Sequence, residues 1–250
     1  MKKITKLYKK IVFNIKKKTD LDKIKIDYKS LNDLFNYFGT DKGTSVKNPY
    51  DKNSNEIFGH GFAKFYEKHF DSKKDDNFNL LEIGTWEGGS SASFTLYFPN
   101  AQIYGLDRNF KFKYKGKKLK YFNCDLTNNS DFKNLQEKIK NKQFKIIIDD
   151  GSHILSHIIK NLISFFKYVE SGSYYVIEDF NAPEYYNYLN DSKGSELFIK
   201  NILLNLKEKK SFKSNLLNEQ DQKYLFENIS SIDIYKGDTQ FSDIAFLKKI

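Results

Sequence analysis

Two apolar stretches decide the fold, Lys145-Ile-Ile-Ile-Asp-Asp150 and Tyr174-Tyr-Val-Ile-Glu-Asp179, and each of them ends in a pair of carboxylates. Continuous runs of β-branched and aromatic residues are typical of strands that are buried on both faces of a parallel sheet. About 28 residues separate the two ends, which leaves room for one crossover helix. We therefore expect two neighbouring strands of a β-α-β unit.

The acidic strand ends predict a reaction centre. Open α/β sheets bind ligands beyond the carboxyl ends of their strands. Asp149, Asp150, Glu178 and Asp179 should therefore lie together, and the run Asp149-Asp-Gly-Ser-His153 adds a histidine to them. Such a concentration of acids requires a cation, a proton or a substrate amine. A metal ion is one of the groups that could meet this requirement.

Strands and helices alternate from Phe78 to the C-terminus, where two strands form a predicted hairpin around Gly237. This alternation predicts an α/β fold with a Rossmann-like, doubly wound, mostly parallel sheet whose last strand is antiparallel. We assign residues 1–77 to an N-terminal basic helix with a helical and loop cap, and residues 78–250 to the main domain. The predicted strands are 80–83, 102–106, 120–122, 144–149, 174–178, 229–235 and 243–248, and the predicted helices are 31–38, 59–70, 90–98, 130–141, 153–169 and 196–207.

The positive charge of the chain is concentrated at its N-terminus. The net charge is +10, but residues 1–18 contain eight lysines and no acid, so the remainder is nearly neutral at about +2. Arg108 is the only arginine among 42 basic residues. Arginine is the preferred side chain for reading guanine and for gripping phosphate. Nucleic acid is therefore an unfavoured partner.

The basic N-terminal segment has the pattern of an amphipathic helix. Its apolar residues recur at helical spacing and its lysines occupy the remaining face. Two interpretations stay open: peripheral contact of residues 1–18 with an anionic membrane surface, and packing on the body or on a second subunit of a homo-oligomer. The apolar positions are Ile4, Leu7, Tyr8, Ile11, Val12 and Ile15.

The sequence shows neither a disulfide framework nor a membrane span. Cys124 is the only cysteine, so no disulfide can form within one chain. No apolar run approaches the length of a transmembrane helix, and Ile11-Val-Phe13 is too short for the apolar region of a signal peptide. We expect a cytoplasmic location, with the inner face of the membrane as the alternative.

The first predicted strand leads into a glycine-rich turn, Leu80-Leu-Glu-Ile-Gly-Thr-Trp-Glu-Gly-Gly-Ser90, and then into a helix. Glycine lets the backbone turn sharply and approach a ligand closely. The spacing differs from the dinucleotide motif Gly-x-Gly-x-x-Gly, and Glu82 precedes the first glycine. An acid at this position would repel a pyrophosphate but would attract the ammonium of a methionine moiety. We therefore expect Glu82, Gly84 and Gly88 to bind a cofactor other than NAD.

Acids at other strand ends extend the predicted cofactor site. Asp107 ends the second strand, where an acid commonly accepts hydrogen bonds from ribose hydroxyls. Asp125 follows the third strand and could reach the adenine amino group, and Asp149 could line the same pocket. The alternative is that these acids are ordinary turn and capping residues.

Together these features resemble the class I S-adenosylmethionine (SAM)-dependent methyltransferases over roughly residues 78–250. The run Asp149-Asp-Gly-Ser-His153, followed by Val176-Ile-Glu-Asp179, is similar to the Mg-dependent macrolide sugar O-methyltransferases and to the cephalosporin hydroxylase-like group. The segments Gly39-Thr-Asp-Lys-Gly43 and His60-Gly-Phe, with Tyr66-Glu67 a few residues later, resemble the N-terminal part of such proteins. The macrolide enzymes have a longer N-terminal domain, so the acceptor cannot be transferred from the resemblance.

The resemblance implies a role for each residue of the acidic cluster. Asp150, Glu178 and Asp179 would hold Mg²⁺, His153 would be the general base, and Asp150 would count as catalytic as well. The chemistry agrees, because carboxylates suit a hard cation and a coordinated hydroxyl is a stronger acid. A histidine can then accept its proton. The alternative is that His153 only begins its helix.

Four other residues have open roles. His157 follows His153 by one helical turn and is expected to pack against the sheet or to support the site. His60, Asp41 and Lys42 could close over the cofactor or the acceptor, although ordinary loop chemistry explains them nearly as well.

The leading hypothesis is a SAM- and Mg²⁺-dependent O-methyltransferase acting on a sugar hydroxyl of a small-molecule or glycan acceptor. A nucleotide-activated sugar or a capsular polysaccharide unit is the expected acceptor. One alternative keeps SAM and changes the acceptor to a non-sugar oxygen. Another alternative is a membrane-attached, non-enzymatic binding protein on the same fold. A NAD-dependent dehydrogenase is disfavoured by Glu82 and by the glycine spacing.

Overall fold

The computed structural model describes residues 2–27, 30–47 and 55–250. The strands within these residues are β1 (Thr19–Asp20), β2 (Asn79–Ile83), β3 (Gln102–Asp107), β4 (Tyr114–Lys115), β5 (Leu119–Asn123), β6 (Phe144–Asp149), β7 (Val169–Ile177), β8 (Ile229–Lys236) and β9 (Asp243–Lys249). The helices are α1 (Lys2–Ile15), α2 (Leu31–Phe38), α3 (Ala63–Phe70), α4 (Gly89–Tyr97), α5 (Asn129–Ile139), α6 (Leu155–Phe166), α7 (Ala182–Tyr185), α8 (Ile199–Glu208) and α9 (Glu219–Asn228).

The described residues form a seven-stranded sheet with the order β5-β3-β2-β6-β7-β9-β8. The strands from β5 to β7 are parallel, and β9 runs antiparallel to both of its neighbours. β6 and β7 are adjacent, with Ile148 opposite Val176. The predicted fold class and the predicted β-α-β neighbours are therefore confirmed, and the two acidic strand ends lie at the same edge.

Helices cover both faces of the sheet. One face packs against α5, α6, α8 and α9, and the other packs against α2, α3 and α4. Phe35 and Tyr66, from the N-terminal third of the chain, are fully buried beside Phe94 and Phe246. Burial of each such ring contributes about 2–3 kcal/mol. Helices α2 and α3 thus share a core with the sheet, and the division at residue 77 stays a prediction.

Backbone conformation explains where predicted helices begin too early. His153 has a left-handed φ of 54°, which an α-helix excludes, so α6 begins only at Leu155. Gly61 has φ +64°, and α3 accordingly begins at Ala63. The polar helix α9 was absent from the prediction; its N-cap Asn218 accepts a hydrogen bond from the amide of Asp221.

The predicted N-terminal helix is present as α1, and its apolar stripe faces solvent. Of the described side chains, Tyr8, Ile11, Val12 and Ile15 are exposed, whereas Phe13 packs on the body. The positions of Ile4 and Leu7 in the predicted stripe lie outside the described side chains. Across the described residues, none of the helices combines the length and the apolar character that a bilayer span requires.

Candidate active site

Three loops at one edge of the sheet contain strained backbone. They follow β2, β6 and β7, which are neighbours in the sheet. Each loop holds a residue other than glycine at positive φ: Trp86 at 49°, His153 at 54° and Asp179 at 50°. Such conformations cost about 1–3 kcal/mol each and concentrate at functional sites. This strain marks the same edge that the acidic strand ends indicate.

Lys42 lies at the centre of this edge. Its side chain is 1% exposed, and its ammonium donates hydrogen bonds to the carboxylates of Asp150 and Glu178. Glu82 Oε1 is 4.0 Å from the same nitrogen. Burial alone would lower the pKa of Lys42, but the surrounding carboxylates outweigh it and raise that pKa well above its usual value. Lys42 is therefore a charged internal partner of acids from three strand ends.

Two further side chains from the N-terminal third reach the acidic edge. Tyr66 on α3 is fully buried and donates a hydrogen bond to Glu178. His60 Nδ1 is 3.2 Å from Asp179 Oδ1. Burial disfavours the charged form of His60, yet the nearby Asp179 raises the pKa of the imidazole above its ordinary value. The sequence left the roles of His60 and Lys42 open. It gave no role to Tyr66, which lies on the apolar face of α3 and within the segment that resembles the N-terminal part of the related proteins.

Asp150, His153 and Asp179 form a group that could hold a cation. Each offers one ligand atom, and these atoms lie within 4.8 Å of one another. His153 Nε2 is 3.6 Å from Asp150 Oδ1. Burial raises the pKa of Asp150 to about 6, against the opposing charges of Lys42 and His153. Two carboxylates and a partly exposed imidazole fit Mg²⁺ with a base beside it, because Mg²⁺ takes oxygen ligands.

Glu178 has a different environment from the other two predicted metal ligands. Both of its carboxylate oxygens accept hydrogen bonds, one from Lys42 and the other from Tyr66. Its role as a metal ligand stays a prediction, and in this structure it anchors the N-terminal segment to the end of β7.

Asp149 lies on the opposite face of the sheet from this network. Its oxygens accept hydrogen bonds from Asn161 on α6 at 3.1 Å and from the Tyr175 hydroxyl at 3.2 Å. Burial raises the pKa of its carboxyl to about 7. Asp149 therefore helps to fasten α6 to the sheet, and its predicted contact with the cofactor stays a prediction. His157 also stays local, 2.7 Å from Ser152 Oγ.

The predicted cofactor acids make mostly local contacts. Glu82 is fully buried; its Oε2 accepts a hydrogen bond from Ser91, and its Oε1 has no hydrogen-bond partner within the described residues. Asp107 accepts the backbone amides of Trp86 at 2.9 Å and Asn109 at 2.6 Å. A buried carboxylate oxygen without a hydrogen-bond donor is costly, and the Lys42 ammonium 4.0 Å from Oε1 offsets part of this cost. The predicted contact of Glu82 with a cofactor stays a prediction.

Asp125 and the two glycines complete the cofactor prediction. Asp125 Oδ1 accepts the amide and hydroxyl of Thr127, which is the local turn geometry that the alternative interpretation expects. Gly84 has φ +90°, and a Cβ there would lie 1.8 Å from the carbonyl oxygen of Asp150. Gly88 also has a left-handed φ, and a Cβ there would meet the ring of Phe112. These glycines bring the β2 turn close to its neighbours, and their contact with a cofactor stays a prediction.

Comparison with known proteins finds relatives that are named as O-methyltransferases. No protein-family model matches the chain. Mycinamicin VI 2''-O-methyltransferase of Micromonospora griseorubida is 34% identical over 131 residues, which cover 49% of this chain and 32% of that protein. A tetracenomycin-C rhamnosyl 2'-O-methyltransferase of Streptomyces olivaceus is 27% identical over 155 residues, which cover 58% of this chain and 40% of that protein.

A solved structure agrees over most of the chain. MycE methyltransferase from the mycinamycin biosynthetic pathway, in complex with Mg and SAH, superposes with a TM-score of 0.67 at 25% identity. The match covers 88% of this chain and 54% of that one. The chain therefore matches about a third of the length of the first curated relative and about half of the solved structure.

Sequence and structure lead to the same relatives. The structural match covers 88% of this chain. The resemblance inferred from the sequence is confirmed: this chain is related to the macrolide sugar O-methyltransferases and has the Rossmann-like fold of class I SAM-dependent methyltransferases.

Proposed function

We propose that this protein transfers a methyl group from SAM to the oxygen of a sugar hydroxyl, with Mg²⁺ as cofactor. One observation supports this proposal above all: Asp150, His153 and Asp179 present ligand atoms within 4.8 Å of one another. They do so at the edge where α/β folds of this kind bind ligands. Mg and SAH accompany the related MycE enzyme.

Within this proposal the residues at the acidic edge, the ends of β6 and β7, have different roles. Asp150 and Asp179 would hold the ion, with Glu178 beside them, and Mg²⁺ when bound would increase the acidity of a coordinated hydroxyl. His153 is 27% exposed, so its imidazole is open to an acceptor. As a general base it would take the hydroxyl proton. The resulting imidazolium would lie against the Asp150 carboxylate, 3.6 Å away, which stabilises it.

The buried residues that contact these acids, Lys42, Tyr66 and His60, would keep the acids in position. Lys42 and Tyr66 fix the Glu178 carboxylate from the N-terminal side, and His60 contacts Asp179. All three side chains are nearly or fully buried. They therefore exclude water from the back of the site and keep its acids in one arrangement, which favours reaction between two bound molecules.

The cofactor would bind over the ends of β2 and β3. SAM supplies an electrophilic methyl on a sulfonium. Glu82 Oε1, which lacks a hydrogen-bond partner among the described residues, would attract its ammonium, and Asp107 at the end of β3 would bind the ribose hydroxyls. Asp125 and Asp149 remain candidates for the rest of the pocket.

The acceptor is proposed at the level of a sugar hydroxyl. The relatives bear names of enzymes that methylate sugars attached to antibiotics. These names give no support to the nucleotide-activated or capsular sugar expected from the sequence, which stays a prediction. The group that all these acceptors share is the hydroxyl of a sugar ring.

The test is methyl transfer by the purified full chain from labelled SAM to a panel of acceptors. The panel contains glycosylated macrolides, nucleotide-activated sugars, capsular oligosaccharides and a non-sugar alcohol. We expect a methyl ether on a sugar oxygen, loss of turnover in EDTA and its return with Mg²⁺. Calorimetry with SAM alone measures cofactor binding separately.

Three results would contradict the proposal at different levels. No measurable SAM affinity would reject the methyltransferase assignment and favour a binding protein on this fold. Full turnover in EDTA would reject the role of the metal. Turnover with the non-sugar alcohol and with none of the sugars would reject the acceptor class.

A further inference from the structure

Helix α1 presents an apolar stripe to solvent. Ile15 is 78% exposed, Tyr8 66% and Ile11 52%. Val12, on the same side, is also exposed. Large apolar side chains grouped on one side of a helix are unfavourable in water and indicate an interaction surface. No contact with the described part of the body covers these four side chains.

The way in which α1 is attached turns this stripe outward. At about 100° per residue, Phe13 points to the side of the helix opposite Ile11 and Ile15. Its ring contacts Phe110 and Tyr121 at centroid distances of 5.7 and 5.5 Å. Lys18, which follows the helix, donates to the carbonyl of Phe13 at 2.9 Å, a contact within the N-terminal segment. The body therefore contacts the helix through Phe13 and leaves the apolar stripe exposed, and the lysines at positions 9, 10, 16 and 17 are exposed as well.

A basic cavity lies where α1 joins the body. Its volume is about 660 Å³, and it is lined by five lysines together with Asn14, Thr19 and Asp20. Asp20 is 3.4 Å from one of these lysines, Lys115, and 4.0 Å from another, Lys23. The lining therefore keeps an excess of positive charge. Its lysines are Lys16, Lys17, Lys18, Lys23 and Lys115.

We propose that α1 and this cavity form a docking surface for an anionic lipid bilayer. The apolar stripe would enter the boundary between headgroups and acyl chains, and the lysines beside it would lie among lipid phosphates. Eight lysines and no acid in residues 1–18 match the charge of such a surface. The combination favours a bilayer over nucleic acid, because an apolar stripe has no counterpart on a phosphate backbone.

This inference is independent of the proposed catalytic function. The helix contacts the body through Phe13, which packs on Phe110 and Tyr121, and none of these residues belongs to the acidic edge. Docking would hold the enzyme, whatever its acceptor, at a membrane surface.

The experiment is co-sedimentation of the full chain with vesicles. One set contains equal parts phosphatidylcholine and phosphatidylglycerol, and the other contains phosphatidylcholine alone. We expect binding to the anionic vesicles and at least about tenfold weaker binding to the neutral ones. Circular dichroism confirms that each variant is folded, and light scattering gives its oligomeric state.

Two variants separate apolar insertion from charge attraction. I11A together with I15A keeps every lysine and should weaken binding at least about tenfold, since each isoleucine loses much of its buried apolar area. Replacing Lys9, Lys10, Lys16 and Lys17 with glutamine keeps the stripe. Because each lysine near the surface contributes about a fivefold factor, this variant should lose at least about a hundredfold.

Each variant has a matched control in the same chain. L204A removes an apolar side chain that is 41% exposed on α8 and should bind as the parent does. Glutamine at four other exposed lysines removes the same charge from the body and should change binding by less than about tenfold. These lysines are Lys133, Lys207, Lys213 and Lys223.

An inserted probe gives a direct readout of depth. I11W should show a blue shift of tryptophan emission with anionic vesicles, beyond that of the parent, whose only tryptophan is Trp86. The proposal is overturned if the lysine variant loses binding while I11A/I15A binds normally, which would indicate polyanion adsorption. It is equally overturned if the parent is a dimer that I11A/I15A dissociates and neither binds vesicles, which would identify a second copy as the partner.

Discussion

At the edge of the sheet where the parallel strands end, the acids of the two halves receive their hydrogen bonds from different parts of the chain. On the cofactor half, Glu82 is hydrogen-bonded by a residue 9 positions away and Asp107 by residues 2 and 21 positions away. On the other half, Asp150 and Glu178 are bonded by Lys42, which is 108 and 136 positions away. The hydrogen bonds of the first half come from its own strand, turn and helix, although Lys42 also approaches Glu82 at 4.0 Å. The hydrogen bonds of the second half come from a distant segment of the chain that contains Lys42.

Because of this difference, we expect substitutions in the two halves to have different effects. A substitution on the cofactor half should alter one binding contact, because its turn is held by nearby backbone. A substitution on the Lys42 half should alter both the site and the attachment of the N-terminal third, because the same bonds serve both. The following predictions test this distinction.

The largest effect is expected from Asp150→Asn. This change removes a proposed metal ligand and the carboxylate beside the proposed base, so kcat should fall by about a thousandfold or more. SAM affinity, measured by calorimetry, should stay within about threefold. The control Asp75→Asn alters an exposed aspartate that precedes β2 and should leave turnover unchanged. A D150N enzyme that keeps a tenth of its activity would place the reaction elsewhere.

Lys42→Met should cause the largest loss of stability. It leaves the buried carboxylates of Asp150 and Glu178 without their cation, which costs about 3–5 kcal/mol. Urea unfolding in EDTA measures the loss, and Mg²⁺ should restore more stability to this variant than to the parent. In the control Lys64→Met, the exposed pair with Asp238 is lost, which costs less than about 1 kcal/mol. Equal losses in the two variants would contradict the role of Lys42.

Glu82→Gln tests the cofactor half. Loss of the charge that faces the proposed SAM ammonium should weaken SAM binding about tenfold, or roughly 1.4 kcal/mol. Affinity for Mg²⁺ should change much less. Glu87→Gln is the matched control, because Glu87 lies in the same turn but forms an exposed pair with Lys113. If both variants bind SAM as the parent does, the predicted contact at Glu82 is wrong.

The smallest effect concerns pH and the docking of α3 on the terminal hairpin. His69 stacks on Phe246 and lies 3.0 Å from the Tyr235 hydroxyl, and burial lowers its pKa. The folded protein therefore binds this proton less readily than the unfolded chain does, so stability is complete above the unfolded pKa of about 6.5 and falls as pH decreases below it.

The measurement for His69 is the change in Tm between about pH 7.5 and pH 5.5. We expect His69→Gln to lose about 1–2 °C less than the parent over this interval. An identical pH response in the two proteins would show that His69 does not contribute.

The sequence predicted the sheet well because its signals are local. The apolar runs of β6 and β7 and the turn after β2 each identify a strand end without reference to the rest of the chain. The start of α6 was missed because nothing in the local sequence shows that His153 has a left-handed conformation. The division of Asp149 and Asp150 onto opposite faces follows from strand alternation, but which face meets α3 depends on tertiary packing.

The contacts of Lys42, Tyr66 and His60 could not be predicted from their surroundings in the sequence. Lys42 lies in a polar turn that suggests an exposed side chain, and it is nevertheless 1% exposed. Tyr66 belongs to the apolar face of its helix, and the periodicity of that face gives no information about the contact of its hydroxyl. Their significance depends on acids that follow more than a hundred residues later.

The buried ammonium of Lys42 also bears on whether folding comes before metal binding. Acids gathered for a divalent ion repel one another while the ion is absent, and many such sites fold only on loading. Here the chain supplies a permanent positive charge of its own, from a segment synthesised before the acids it neutralises. If these acids hold Mg²⁺ as proposed, folding could be completed at low magnesium, and uptake of the ion would be a later, reversible step.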